Sequence, residues 1–323
     1  MLYAGTTSLT SLKYSILVDI VKKFKQWSIS AGNHLKIKCG TSETLRNEIV
    51  SKTPSQENIK SISVHNSRHL KSLSDNQFGH YLAGLIEGDG QFSSKQQLII
   101  VFSSLDVALA YYIKEKLKFG NVRKVKNKNA YLLIISKKEG LIKVINLINC
   151  KLRTLNKYNQ VINNILNHSL YNKENIEFKM NFNNDLNNHY LAGFSDADAS
   201  FQIKIVNRAN KSKVEIRLNF QIDQKNNDIL LLIKNFFGGN IGYRKSQNTY
   251  YYGSTSFGSA RKVINYFDEY HLQSNKHINF LKWRKAYLLI QNKDHLNDQG
   301  IKQIIKLKNT MNSAYAINPL AHA

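Results

Sequence analysis

The chain carries one thirteen-residue phrase twice. "HYLAGLIEGDGQF" occupies 80–92 and "HYLAGFSDADASF" occupies 189–201, so Asp89 recurs as Asp198, 109 positions on. An internal repeat limits the fold more than any local pattern, because both copies must build the same unit and the units must share a core. Further matches follow at a constant shift of 119: "GNV" from 120 with "GNI" from 239, "KVIN" from 143 with "KVIN" from 262, and "NK" from 156 with "NK" from 275. The change from 109 to 119 puts about ten extra residues into the second copy soon after its motif. The polar stretch "NRANKSKVEIR" (207–217) is the natural place for them, as the turn of a hairpin with long basic strands whose Phe201, Ile203 and Ile205 share one face.

Each copy then reads helix, strand, strand, helix, strand, strand, helix. The second helices, "LAYYIKEKLKFG" and "DILLLIKNFFGG", are expected to end on left-handed glycine caps at Gly120 and at Gly238–Gly239. The fold class is therefore α+β, one αββαββα unit used twice with pseudo-twofold symmetry. The boundaries expected are a basic extension over 1–76, a first half over 77–170, a linker over 171–187, a second half over 188–315 and a tail over 316–323. With 323 residues, each half can bury its own core.

In both motifs small residues recur four apart, Gly84 with Gly88 and Gly193 with Ala197. They share a helix face and let a second helix approach closely. If the two motif helices pack on these faces, Asp89 and Asp198 meet at their ends. Two carboxylates beside two helix C-termini repel unless a cation lies between them, and oxygen donors of this kind suit Mg²⁺, with phosphate oxygens as further ligands. The remainder of the chain supplies the opposite charge: 46 Lys and Arg stand against 22 Asp and Glu, for a net charge of +24. Such a surface seeks a polyanion, first nucleic acid and second an anionic membrane, though no stretch is apolar enough to span a bilayer.

Other features carry less. Cys39 and Cys150 lie far apart with no CxxC or Cys/His cluster, and His65 with His69 lacks a third ligand. Leu12, Ile16, Ile20, Phe24 and Trp27 near helical spacing describe a basic amphipathic helix; docking on the main body is favoured over a membrane surface, and a transit peptide is disfavoured because no Arg precedes Arg46. Abundant Asn, Lys, Ile and Tyr point to an AT-rich gene such as an organelle's. The segment 40–76 reads as a linker.

"LAGLIEGDG" and "LAGFSDADA" resemble the two copies of the motif that names the LAGLIDADG homing endonucleases, of the two-motif, single-chain type encoded in organellar introns. The resemblance spans roughly 77–315. It implies two motif helices at a central interface and antiparallel sheets forming a saddle over the DNA major groove. It also implies Mg²⁺-dependent hydrolysis of one phosphodiester on each strand across the minor groove, leaving short 3′ overhangs, with Mn²⁺ able to substitute. By this resemblance Asp89 and Asp198 are the metal ligands, with the carbonyls of Gly88 and Ala197. Glu87 and Asp196 are structural, Gln224 orders water, and Lys276 and Lys157 are the basic groups of the two sites. The sheet candidates for DNA binding are Gln91, Ser93, Lys95, Arg123, Lys124 and Lys126 in the first half. In the second they are Gln202, Lys204, Arg208, Lys213, Arg217, Arg244 and Lys245.

Two departures set further expectations. Ala199 stands where the first motif has Gly90, so the second helix is expected to end differently; and Ser103 and Ser104 fall around the position of Gln224, leaving one site less well furnished and the two strands cleaved unequally. The function expected is homing of the host group I intron by a monomeric mitochondrial enzyme. The alternative is an RNA maturase that assists splicing of that intron, alone or in addition. A DNA-binding regulator on the same scaffold is disfavoured by the intact acid pair.

Overall fold

The computed structural model describes residues 61–69, 73–171, 173–206 and 214–311. Arg208 and Lys213, the amphipathic pattern near the amino terminus and most of the expected linker over 40–76 lie outside the described residues.

The first half runs α1 (Asp75–Asp89), β1 (Gly90–Ser93), β2 (Gln97–Ser103), α2 (Val107–Leu117), β3 (Asn121–Lys124), β4 (Ala130–Ile135), α3 (Lys138–Ile148) and α4 (Leu155–Val161). The second runs α5 (Tyr190–Asp198), β5 (Ala199–Val206), β6 (Glu215–Gln224), α6 (Asp228–Phe237), β7 (Asn240–Arg244), β8 (Thr249–Ser254), α7 (Phe257–Glu269), α8 (Lys276–Gln291) and α9 (Asp298–Thr310). Each half forms an antiparallel four-stranded sheet, in the orders β1-β2-β4-β3 and β5-β6-β8-β7. Both sheets alternate as half-buried strands do, with Leu98, Ile100, Leu133 and Ile135, and Leu218, Phe220, Ile222 and Tyr252, turned to the core.

Helix α1 starts on a capping box: Gln77 N–H donates to Ser74 Oγ (3.4 Å), and Ser74 N–H donates to Gln77 Oε1 (3.0 Å). Its body, including Tyr81, Leu82, Ala83, Leu85 and Ile86, is buried all round, which is why its apolar residues show no single stripe. It crosses α5 with the backbones in contact. A Cβ on Gly84 would lie 2.0 Å from the Tyr190 carbonyl oxygen, and one on Gly193 would lie 1.9 Å from that of Tyr81. No larger residue fits at either position, and the reciprocity of the two contacts is the pseudo-twofold axis seen locally.

The sheet register refines the insertion. Gly90 pairs with Ile100, ten residues on, whereas Ala199 pairs with Ile222, twenty-three on. The hairpin thus gains thirteen residues, and three are lost again before β7, leaving the net ten. Two capping expectations are corrected. Helix α2 ends at Lys118, which adopts the left-handed conformation (φ 64°) two residues before Gly120, while Gly238 does cap α6 (φ 79°). Gly90 and Ala199 end their helices alike, in extended backbone (φ −90° and −86°), so no left-handed glycine is used at either motif. Gly90 answers a different need: a Cβ there would lie 2.8 Å from Ile86 Cα.

Candidate active site and nucleic-acid face

The α1–α5 crossing brings the two motif ends together. A Cβ on Gly88 would lie 2.2 Å from Ala197 Cβ and 2.9 Å from Asp198 Oδ2. Asp89 is open to solvent and Asp198 half-buried. Although the residue keeps an exposed side, desolvation of its carboxyl group at the crossing, then the charge of Asp198, pushes Asp89 up to about 6, against the pull of Lys276 and Lys157. Burial also raises Asp198, opposed by Lys276 and by the Gln224 hydrogen bond. Lys276 and Lys157 are both lowered by burial.

The preceding acids have a different task. Glu87 and Asp196 are buried and raised by that burial. Glu87 Oε1 accepts Arg153 N–H and Thr154 N–H, each at 2.6 Å, and its other oxygen accepts the Tyr190 hydroxyl. Asp196 accepts Gln273 N–H (2.7 Å), the Ser274 hydroxyl (2.5 Å) and the Tyr81 hydroxyl (2.7 Å). Each acid therefore grips the loop entering its own half's α4 or α8 and is braced by a tyrosine from the opposite motif. Those helices open with Asn156–Lys157 and Lys276, so the buried acids set where the lysines stand. Lys157 Nζ donates to the Gly90 carbonyl, whereas Lys276 Nζ donates to those of Ala197 (2.6 Å) and Ser195 (3.2 Å).

The two corners differ in their third member. Gln224 Nε2 donates to Asp198 Oδ2 at 2.6 Å from the end of β6, where Gln224 pairs with Tyr250. The residue paired in the same way with Tyr131 is Phe102, which is buried. The expectation that Ser103 and Ser104 hold this place is corrected: the three-residue slip in register puts an aromatic ring there. Ser103 instead donates to Asp106 Oδ2 (2.7 Å), and Asp106 Oδ1 accepts Asn275 N–H (2.7 Å), reaching across the halves to the residue before Lys276. Asp106 was not singled out by sequence; it belongs to neither motif and pairs 169 residues away. A cavity of about 490 Å³, lined by Asp89, Ser103, Asp106, Ala197, Ser274 and Lys276 among others, occupies this junction.

Among the described residues no group of three or more His, Cys, Asp or Glu side chains is placed to hold a metal. The donor set still fits a hard divalent cation: two facing carboxylates, with backbone oxygens beside them and an open side from which phosphate and water can complete the shell.

The sheet candidates divide by face. Gln91, Lys95, Arg123, Lys124, Lys126, Lys204, Arg217 and Lys245 are exposed, and Ser93, Gln202 and Arg244 are half-exposed. Lys124 pairs with Tyr131 and so stands on the core-side alternation at the edge strand. On the face of the second sheet opposite Leu218, Phe220 and Ile222 a polar ladder runs across strands, from the buried Asn219 to the half-exposed Gln221 and Asp223. Asn219 donates to Gln202 Oε1 (3.1 Å) and to Gln221 Oε1 (3.3 Å), Gln221 donates to Asp223 (3.1 Å), and Arg244 donates to Asp223 (2.8 Å) while lying over the Tyr251 ring. Asn219, Gln221 and Asp223 were not among the candidates the sequence offered, because their linkage depends on which strands lie side by side. Tyr252 is in the core, as the alternation in "TYYYGS" requires.

A paired-motif, two-sheet scaffold with an acid dyad at its axis defines the class. A LAGLIDADG endonuclease family model matches residues 191–287. The chain is 32% identical over 285 residues to the intron-encoded DNA endonuclease aI3 of Saccharomyces cerevisiae, across 71% of this chain and 68% of that one. The chain belongs to the LAGLIDADG endonuclease family. It is 59% identical over 319 residues, 95% of each chain, to a 37.2 kDa cox1 intron-2 protein of Schizosaccharomyces pombe. It also shares 28% identity over 195 residues with the intron-encoded RNA maturase bI4 of Saccharomyces cerevisiae, covering 57% of this chain and 28% of that one. The fold is that of the LAGLIDADG meganuclease I-AabMI bound to uncleaved DNA, at a TM-score of 0.60 and 21% identity over 72% of this chain and 99% of that one. No helix of the described residues is long and apolar enough to cross a membrane.

Proposed function

We propose that the protein is a monomeric, Mg²⁺-dependent, site-specific DNA endonuclease of the mitochondrion that mobilises its host group I intron by a double-strand break with short 3′ overhangs. The observation that carries this reading is the facing of Asp89 and Asp198 at the helix crossing, where desolvation and mutual repulsion raise Asp89 in spite of the pull of Lys276 and Lys157. An acid pair of this kind weakens the fold, and a protein that only bound nucleic acid would have no use for it.

Asp89 and Asp198 would hold the metal, with the Gly88 carbonyl; the Ala197 carbonyl, engaged by Lys276, joins them only if that lysine turns to the phosphate. Bound Mg²⁺ would supply Lewis-acid stabilisation of charge on the phosphoryl oxygens and favour deprotonation of water. Gln224, already donating to Asp198, would orient water at the second corner. Lys276 and Lys157, depressed by burial, are suited to offset phosphate charge and to carry a proton.

A second reading, an RNA maturase alone or in addition, is favoured by one observation: Phe102 leaves the first corner without the amide of the second. The test is Mg²⁺-dependent cleavage of a duplex spanning the intron-insertion junction, beside the Asp89→Asn/Asp198→Asn double variant. Cleavage lost in the variant supports the nuclease. Tight binding without cleavage by the wild type moves the assignment to the maturase.

A further inference from the structure

The open faces of the two sheets are chemically unlike. In the first sheet the cross-strand rows read Gln91, Ile99, Ile134, Asn121 and then Val101, Leu132, Arg123. Their core-facing neighbours Leu98, Ile100, Leu133 and Ile135 are fully buried, so alternation turns Ile99, Val101, Leu132 and Ile134 outward; Val101 is 45% exposed and the other three are half-exposed. The corresponding rows of the second sheet read Ser200, Gln221, Gly253, Asn240 and then Asp223, Tyr251, Gly242. Four adjoining aliphatic side chains on a solvent-facing sheet mark a surface that meets something.

The surroundings identify the occupant. Lys95 lies in the β1–β2 turn, and Arg123, Lys124, Lys126 and Lys128 lie on β3 and in the turn after it, all exposed. Between residues 90 and 135 the only acids are Asp106 and Glu115, one in the connection into α2 and the other on that helix. An apolar strip inside a ring of cations would repel a second copy of itself. It complements a polyanion whose interior edge is apolar, and the DNA major groove is such a partner: phosphates at the rim and the C5-methyl group of thymine within.

We propose that the first sheet reads its half of the DNA target chiefly through thymine methyl groups, received by Ile99, Val101, Leu132 and Ile134, while the second sheet reads the other half by hydrogen bonds from its polar ladder. This inference rests on the DNA-endonuclease reading above. One half-site is therefore rich in thymine on the strand edges that face β2 and β4. Removing a methyl group there costs about three- to fourfold in affinity for each thymine contacted.

The experiment is a binding titration of the full chain in EDTA, so that nothing is cut, against the intron-insertion junction duplex. Deoxyuridine replaces every thymidine in one half of the duplex, then in the other. The expected result is a loss of about tenfold or more for one half and less than twofold for the other. The Val101→Asn/Leu132→Gln variant, altered only on the solvent-facing side, reduces the uridine effect to what the intact Ile99–Ile134 row still supplies; Gln221→Leu, on the second sheet, keeps the full uridine effect. Equal sensitivity of both halves, sensitivity of neither, or a uridine effect undiminished in Val101→Asn/Leu132→Gln overturns the inference while leaving the nuclease standing. Failure of the wild type to bind the unmodified duplex overturns the nuclease reading, and this inference with it.

Discussion

The two candidate corners are built from one sequence phrase, yet they are not the same corner. At the second, Asp198 is held by Gln224, and Lys276 is fixed by hydrogen bonds to Ala197 and Ser195. At the first, Phe102 takes the place of Gln224, and Lys157 turns to the Gly90 carbonyl. What both retain is the scaffold: an aspartate at the crossing, a buried acid gripping the lysine loop, and a tyrosine from the opposite half bracing that acid. The repeat has kept the parts that position the chemistry and let the parts that tune it diverge. The first half also lends Asp106 to the second half's lysine loop, whereas on Lys157's loop the cross-half contact is the Arg153 guanidinium over the Tyr190 ring, 5.0 Å from its centroid.

The largest effect should come from the feature the corners share. Asp89→Asn or Asp198→Asn alone is expected to lower Mg²⁺-dependent cleavage by about a thousandfold or more, with binding of the junction duplex retained. Equal loss from both variants would show that the two acids serve one joint site.

The next effect separates function from stability. Asp89 has a raised folded pKa, about 6 against 3.8 for the free group, so the native state binds more protons between those values. Its contribution to stability is most favourable below about pH 3.8 and is lost as pH rises through 6. Asp89→Asn should therefore stabilise the metal-free protein at pH 7, by about 1 kcal/mol once its solvent exposure is allowed for, and the gain should shrink towards pH 4. Denaturant melts of both proteins at the two pH values measure it. An unchanged or lower midpoint at pH 7 would remove the claim of a repulsive dyad.

The tyrosine braces predict a reciprocal pair. Tyr81→Phe and Tyr190→Phe each remove one hydroxyl from a buried acid and should cost about 1–2 kcal/mol. Tyr81→Phe should slow the Lys276 corner and Tyr190→Phe the Lys157 corner, so strand-resolved nicking should show opposite biases. Smaller still, Asp106→Ala should shift the bias as Tyr81→Phe does, while Asp106→Asn, which keeps an acceptor for Asn275 N–H, should stay near wild type. An Asn variant as slow as the Ala variant would make the charge of Asp106, rather than its hydrogen bond, the working element.

Much of this was legible in the sequence, because the motif helices pack through glycine and glycine spacing is visible in a string of letters. The order of the first seven elements of each half and the meeting of Asp89 with Asp198 followed from the repeat; Lys157 and Lys276 came from the family resemblance, and the helices α4, α8 and α9 beyond the seven were not foreseen. The register did not. A constant shift of 119 concealed thirteen residues gained in the hairpin and three lost after it, so Ser103 and Ser104 were set where Phe102 stands. Lys118 capping α2 in a left-handed turn was hidden too, since a glycine two residues on offered the cheaper conformation. The Asn219–Gln221–Asp223 ladder and the Asp106–Asn275 bond depend on strands and halves meeting, which spacing along one chain does not report.

The measurement that bears most directly on unequal corners is single-turnover cleavage of the junction duplex with each strand separately labelled, for the wild type and Gln224→Leu. The strand cut at the Asp198, Gln224 and Lys276 corner is expected to be cleaved about ten times faster or more, and Gln224→Leu to slow that strand alone and narrow the gap. Equal rates on the two strands in the wild type, or an equal slowing of both in Gln224→Leu, would contradict the account.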